Sequence, residues 1–180
     1  MTTILLARHG ETDWNRERRI QGHTDRPLTD EGRRQAADLA EELSGDPPDA
    51  VYSSDLARAH ETARIVADRL GLDVVVLPEL RERDFGTWEG LTDDEIMTRF
   101  PQARNGPWGD AESREEMLER VREAVERISA GHPEGSVLVI THGGPVRALL
   151  TACSTHEVGR IPNCTVHRIA LRNGTLTRLD

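Results

Sequence analysis

The sequence predicts an α/β fold, a three-layer α/β/α sandwich around a mostly parallel central sheet. Short apolar runs alternate along the chain with amphipathic helical segments, as in repeated strand–helix units. The apolar runs are continuous, which is the pattern of strands covered on both faces. At 180 residues the chain suits one domain with a full core.

Thr3–Ala7 reads as the first buried strand. From Thr29 to Leu43, the positions Ala36, Leu39, Ala40 and Leu43 recur at helical spacing, with Thr29 as N-cap. Pro47-Pro48 breaks the chain before a short strand at Ala50–Tyr52. A helix from about Asp55 to Leu70 carries Leu56, Ala59, Ala63, Val66 and Ala67 on one face, and Gly71 ends it. Val74–Leu77 is a further strand, closed by Pro78. Residues 79–113 read as irregular and are too long for a plain connector, so they are expected to form a lid or pocket wall within a single domain spanning 1–180. Met117, Leu118, Val121, Val125 and Ile128 mark a helix, Val137–Ile140 a strand, and Pro145–Ala152 a short helix after Gly143-Gly144. Thr165–Leu171 and Thr175–Leu179 make a hairpin around Asn173-Gly174.

Net charge is −9, and each of the 23 basic residues is an arginine. The absence of lysine excludes Schiff-base chemistry and the lysine of a nucleotide-binding phosphate loop. A broadly acidic surface argues against nucleic acid and against anionic membranes. Two cysteines, Cys153 and Cys164, are too few for a disulfide scaffold. With no signal peptide and no apolar stretch near the roughly 18 residues of a membrane helix, the expected location is cytoplasmic.

Ligands in such sheets bind beyond the carboxyl ends of the strands. Those positions hold Arg8-His9-Gly10, then Ser53-Ser54-Asp55 leading to Arg58, then Leu80-Arg81-Glu82, and Thr141-His142-Gly143-Gly144. His9, His142, Arg8, Arg58 and Glu82 therefore converge on one sheet edge. The cluster is cationic in an acidic chain, which suits a phosphoryl group.

At these residues the sequence resembles the histidine phosphatase (phosphoglycerate mutase-like) superfamily. The matching blocks are Leu6–Thr12 with Trp14-Asn15, Pro27–Thr29 with Glu31-Gly32, Ser53–Ala59 with Glu61–Ala63, Leu80–Gly86, and Thr141–Gly144. They keep the family's order and span nearly the whole chain. The resemblance implies that His9 accepts the phosphoryl group, that Arg8, Arg58 and His142 bind it with Asn15 completing the pocket, and that Glu82 protonates the leaving oxygen. Thr12, Gln21, Gly22 and Gly143 join as phosphate- or substrate-binding positions.

Such chemistry requires one neutral His9 nitrogen, with the other N–H held by an acceptor such as a backbone carbonyl. A protonated His142 would add a donor, and no metal or other cofactor is needed. Because Glu82 must carry a proton, the rate is expected to be highest on the acid side.

The resemblance covers both phosphatases and mutases. Phe85 and Asp93 stand where the family's glycolytic mutases hold a substrate carboxylate with a tyrosine and a lysine. The chain also ends on a predicted strand with no flexible tail. These departures favour hydrolysis of a small phosphomonoester over isomerisation. Gln21-Gly22-His23-Thr24 resembles the small bacterial phosphatases, including the broad-specificity and α-ribazole types, and Asp110–Ser113 resembles their Gly-Glu-Ser element with Ala111 for the glycine.

Trp88, Phe100, Trp108 and Arg16–Arg19 either shape the leaving-group pocket or simply anchor a loop. His23, His60 and His132 are taken as ordinary surface or core residues. Cys153-x-x-His156 and Cys164-x-x-His167 loosely resemble a zinc site, but the odd offset at the second pair turns its side chains to opposite faces. A silent binding module is a further alternative, and the exposed helix faces admit a homodimer without demanding one.

Overall fold

A computed structural model describes residues 1–104, 111–154, 158–172 and 174–179. Strands β1 (Thr2–Arg8), β2 (Ala50–Ser53), β3 (Val74–Val76), β4 (Ser136–Thr141), β5 (Val166–Arg172) and β6 (Thr175–Arg178) form one sheet in the order β3-β2-β4-β1-β5-β6. The first four are parallel, while β5 and β6 add an antiparallel edge. The helices are α1 (Asp13–Glu17), α2 (Asp30–Leu43), α3 (Ala57–Leu70), α4 (Asp93–Arg99), α5 (Arg114–Gly131) and α6 (Gly143–Ala152).

Successive strand residues point to opposite faces, and both faces are covered. Ile4 and Leu6 of β1, with Val137 and Val139 of β4, pack against Val121, Val125 and Ile128 of α5 and Val146 and Leu149 of α6. Leu5 and Ala7, with Leu138 and Ile140, pack against Leu39 and Leu43 of α2 and Ala63 and Val66 of α3. Each fully buried Val, Leu or Ile contributes about 1.5–3 kcal/mol. This double coverage is why the strands read as continuous apolar runs.

The chain leaves β1 toward α2 on one face and leaves β4 toward α6 on the other. The connections diverge between two adjacent central strands and open a crevice at their carboxyl ends.

Thr29 caps α2, its Oγ1 accepting from Gly32 N at 3.0 Å. Gly71 ends α3 in the left-handed region at φ 70°. Asp55, expected to start that helix, pairs instead with Arg81, whose Nε lies 2.7 Å from Oδ1. The carboxylate of Asp25 supplies the missing cap, accepting from Ala57 N at 2.9 Å.

Residues 79–113, read as irregular, contain α4 and 3-10 turns at Pro78–Leu80, Gly86–Trp88 and Pro101–Arg104. A reciprocal capping box between Thr92 and Glu95 starts α4, and another between Thr12 and Asn15 starts α1, which the periodicity also missed. Trp88 is buried and stacks on Phe100 at 5.9 Å, so it anchors this segment. Trp108 and Asp110 lie outside the described residues, as does Asn173 of the predicted turn. No helix among the described residues is long and apolar enough to cross a membrane.

Candidate active site

β1 and β4 pair in a register that sets Arg8 opposite Thr141. The next residue of each strand is a histidine, so His9 and His142 leave adjacent parallel strands side by side. Their ring centroids are 5.2 Å apart with planes at 61°, and both rings are buried.

His9 Nδ1 lies 2.7 Å from the carbonyl oxygen of Gly10. A carbonyl can only accept, so Nδ1 carries the proton and Nε2 keeps its lone pair. The backbone around it is fixed from several sides. Asn163 Nδ2 donates to His9 O at 2.7 Å, and Gly10 N donates to Thr62 Oγ1 at 3.0 Å. Gly10 and Gly32 meet backbone to backbone, since a Cβ at position 10 would stand 2.4 Å from Gly32 O.

Burial, followed by the nearby cations Arg58 and Arg8, holds His9 well below the usual imidazole range. Burial, then Arg58, His9 and Arg8, does the same to His142. The expectation of a protonated His142 is thereby corrected. Its ring is neutral and offers one N–H.

Arg58, in the first turn of α3, is 0% exposed. Its Nη1 donates to Thr24 O at 3.0 Å and its Nη2 to Gly22 O at 2.7 Å, while Asp25 stays 3.9 Å away. Arg8 Nη1 donates to Ile161 O at 2.8 Å, and burial draws its guanidinium down to about 10, leaving it charged at neutral pH. Among the described residues, the Nε atoms of Arg8 and Arg58 and both nitrogens of His142 are buried without a hydrogen-bond partner. Unmatched buried donors cost about 1–3 kcal/mol each. An anion in the adjoining pocket of about 170 Å³ would offset that cost.

Glu82 borders the same pocket. Its Oε1 accepts from Arg83 N at 2.8 Å and its Oε2 from Gly144 N at 3.0 Å. Position 144 must be glycine for this approach, because a Cβ there would lie 2.1 Å from Oε1. The backbone of Glu82 is held as firmly. Arg120 of α5 donates to the carbonyls of Glu79, Arg81 and Glu82 at 2.8–2.9 Å and to both carboxylate oxygens of Glu112 at 2.6–2.7 Å. His23 Nε2 donates to Glu82 O at 2.9 Å.

Of the residues singled out from sequence, Arg8, His9, Asn15, Gln21, Gly22, Arg58 and Glu82 line this pocket. His142 stands against His9, and Gly143 backs Arg8, with a Cβ there 3.6 Å from Arg8 Nε. Thr12 is placed differently from the phosphate-donating position expected of it. It is fully buried, and its hydroxyl donates to Gln21 Oε1 at 3.0 Å and accepts from Asn15 N, so it supports the pocket wall.

Asn163, Arg120, Asp25, His23 and Gly144 were missed. The repeated glycine of Thr141–Gly144 marked the last of these, and the Gln-Gly-His block marked His23. The other three had no local signal. Among the described residues no three His, Cys, Asp or Glu side chains gather as a metal-binding group, and His156 of the first Cys-x-x-His pair lies outside them.

An imidazole with an unprotonated Nε2, two arginines and a carboxylate around one small pocket suit the handling of a phosphoryl group. The chain belongs to the histidine phosphatase superfamily (branch 1), whose family model matches residues 4–180. It is 40% identical to phosphoglycerate mutase-like protein 4 of Arabidopsis thaliana, over 95% of this chain and 80% of that one. It is 36% identical to the metal-independent phosphoserine phosphatase of the same plant, over 96% and 78%. Its fold is similar to that of a mycobacterial glucosyl-3-phosphoglycerate phosphatase solved with VO3, with a TM-score of 0.87 at 32% identity over 97% of this chain and 95% of that one. It is an enzyme of phosphatase or mutase type.

Proposed function

We propose that the chain is a metal-independent phosphomonoester hydrolase working through a phosphohistidine on Nε2 of His9. The observation that carries this is the 2.7 Å bond from His9 Nδ1 to Gly10 O, which leaves the Nε2 lone pair free in a pocket lined by the guanidiniums of Arg8 and Arg58. In the first step the Nε2 lone pair attacks phosphorus, the ester P–O bond breaks, and the leaving oxygen takes the proton of Glu82. In the second, the Glu82 carboxylate takes a proton from water, the water oxygen attacks phosphorus, and the N–P bond breaks. Arg8, Arg58 and a neutral His142 donate to the equatorial oxygens, where phosphoryl transfer most needs charge.

The mutase reading is supported by the names of several relatives, which are phosphoglycerate mutase-like or probable phosphoglycerate mutases, but Phe85 and Asp93 argue against it. Both border the space beyond Glu82, where one lacks a hydroxyl and the other brings negative charge. Arg83, Phe85 and Asp93, from the segment read as a lid or pocket wall, serve in this reading as part of the wall of that space. A small soluble phosphomonoester is the substrate class, and free Cys153 and Cys164 accord with a reducing, cytoplasmic setting.

Incubation with 3-phosphoglycerate, with and without a bisphosphorylated primer and in EDTA, separates the two readings. Phosphate release without isomerisation is expected. Primer-dependent isomerisation with little phosphate release would make the enzyme a mutase.

A further inference from the structure

Glu89 follows the 3-10 turn Gly86–Trp88, in the segment that also carries Glu82, but it borders neither the phosphoryl pocket nor the space beyond it. Its carboxylate collects four donors. Oε1 accepts from His23 N at 2.7 Å and from Phe85 N at 3.2 Å. Oε2 accepts from Thr24 N at 2.7 Å and from the Thr24 hydroxyl. Such a set fills the lone pairs of one carboxylate, so Glu89 has no oxygen left for substrate.

The residue is fixed on both sides. Trp88 before it is buried, and Gly90 N after it donates to Ile20 O at 2.8 Å. Gly22 lies against the carboxylate with a left-handed φ of 54°, and a Cβ there would overlap Glu89 Oε1. Only glycine lets the two segments close on each other at this point.

Every donor belongs to a residue that serves the site. Gly22 O and Thr24 O, on either side of His23, receive Nη2 and Nη1 of Arg58. The His23 ring holds Glu82 O, and Phe85 lines the phosphoryl pocket. Charge acts in the same direction. Burial draws the Arg58 guanidinium below its usual range, and Glu82, Asp25 and then Glu89 oppose that. When Glu82 carries its proton, Asp25 and Glu89 are the two of these three that still balance Arg58.

We propose that Glu89 is a positioning residue for two catalytic groups at once. Through Gly22–Thr24 it sets the carbonyls that aim Arg58, and through His23 and Phe85 it sets the segment that carries Glu82. This deepens the hydrolase reading above and rests on it.

The test uses Glu89→Gln, which keeps the shape but turns an amide N–H2 toward groups that can only donate, and Thr24→Val, which removes one donor. Calorimetric binding of orthovanadate reads the Arg58 side, and the ratio of kcat for an alkyl phosphate to kcat for p-nitrophenyl phosphate reads the Glu82 side. In Glu89→Gln, vanadate binding should weaken about 10-fold or more and the kcat ratio should fall about 10-fold, as small misplacements of catalytic groups do. Thr24→Val should move both in the same direction by less. Thermal unfolding shows which variants are folded, and if Glu89→Gln is not, Thr24→Val decides alone. A folded variant with either readout at its wild-type value overturns the proposal and leaves the hydrolase reading intact, because a merely structural role lowers stability without moving them. A wild-type chain that hydrolyses no ester overturns both.

Discussion

His9 and His142 stand with ring centroids 5.2 Å apart because Arg8 and Thr141 pair in register on adjacent parallel strands. Burial first, and then the guanidiniums of Arg58 and Arg8, keep both rings neutral in the folded chain, and for His142 the nearness of His9 adds to the effect. In the unfolded chain each returns to about 6.5. Between the folded values and about 6.5 the unfolded state binds more protons, so stability rises with pH across that window.

The stabilisation is fully present above about pH 6.5 and is lost as pH falls below it, at up to about 1.4 kcal/mol per pH unit for each ring. Urea midpoints should therefore fall between about pH 7 and 5.5, above the range where most carboxylates protonate. Replacing His142 by Asn should remove one ring's share of that slope. A midpoint flat across the interval contradicts neutral burial.

Glu82→Gln keeps the size of the side chain and removes its acid. Hydrolysis of alkyl phosphates is expected to slow about 100- to 10,000-fold. The loss should be smaller for p-nitrophenyl phosphate, whose leaving group departs without a proton. Equal losses on the two esters would rule out proton donation by Glu82.

Gly143 and Gly144 adjoin in sequence but differ in the room around them. Alanine at 144 would place Cβ 2.1 Å from Glu82 Oε1, whereas alanine at 143 would meet Arg8 Nε at an ordinary 3.6 Å. Gly144→Ala should fold, since the flexible end of Glu82 can yield, but lose at least about 10-fold in kcat. Gly143→Ala should lose less. Circular dichroism beside steady-state kinetics checks both, and the reverse ranking would contradict the geometry.

Arg120 positions Glu82 through three backbone carbonyls without bordering the phosphoryl pocket. Arg120→Met leaves those carbonyls and Glu112 without their donor, and a stability loss of about 3–5 kcal/mol is expected for a broken, partly buried charge network. Arg120→Lys should retain more stability. In the lysine variant the rate should fall more for alkyl phosphates than for p-nitrophenyl phosphate, as it would if the acid were displaced. A uniform loss would make Arg120 purely structural.

The central frame was legible because its causes are local. Continuous apolar runs marked β1 and β4, Thr29 and Gly71 marked helix ends, and the residues just past each strand named His9, His142 and Glu82. Less legible were contacts made across the fold. Arg120 meets Glu82 from 38 residues away, and Asn163 meets His9 from 154. Nothing in the local sequence distinguishes that arginine from its neighbours on α5.

The helices α1 and α4 were missed for another reason. Both are short and begin at reciprocal capping boxes, Thr12–Asn15 and Thr92–Glu95, while apolar periodicity needs more turns to show. The neutral state of His142 also lay beyond sequence reading. It depends first on how deeply the ring is buried, and then on how close Arg58, His9 and Arg8 come once the sheet forms.

The most direct test is to mix the enzyme with a phosphomonoester in EDTA, quench in alkali within the turnover time, and map the phosphorylated residue by mass spectrometry. Alkali preserves phosphohistidine, so the label should appear on His9 and be absent from folded His9→Ala, which should also release no phosphate. Phosphate release that persists in His9→Ala, or a label on another residue, would contradict the account.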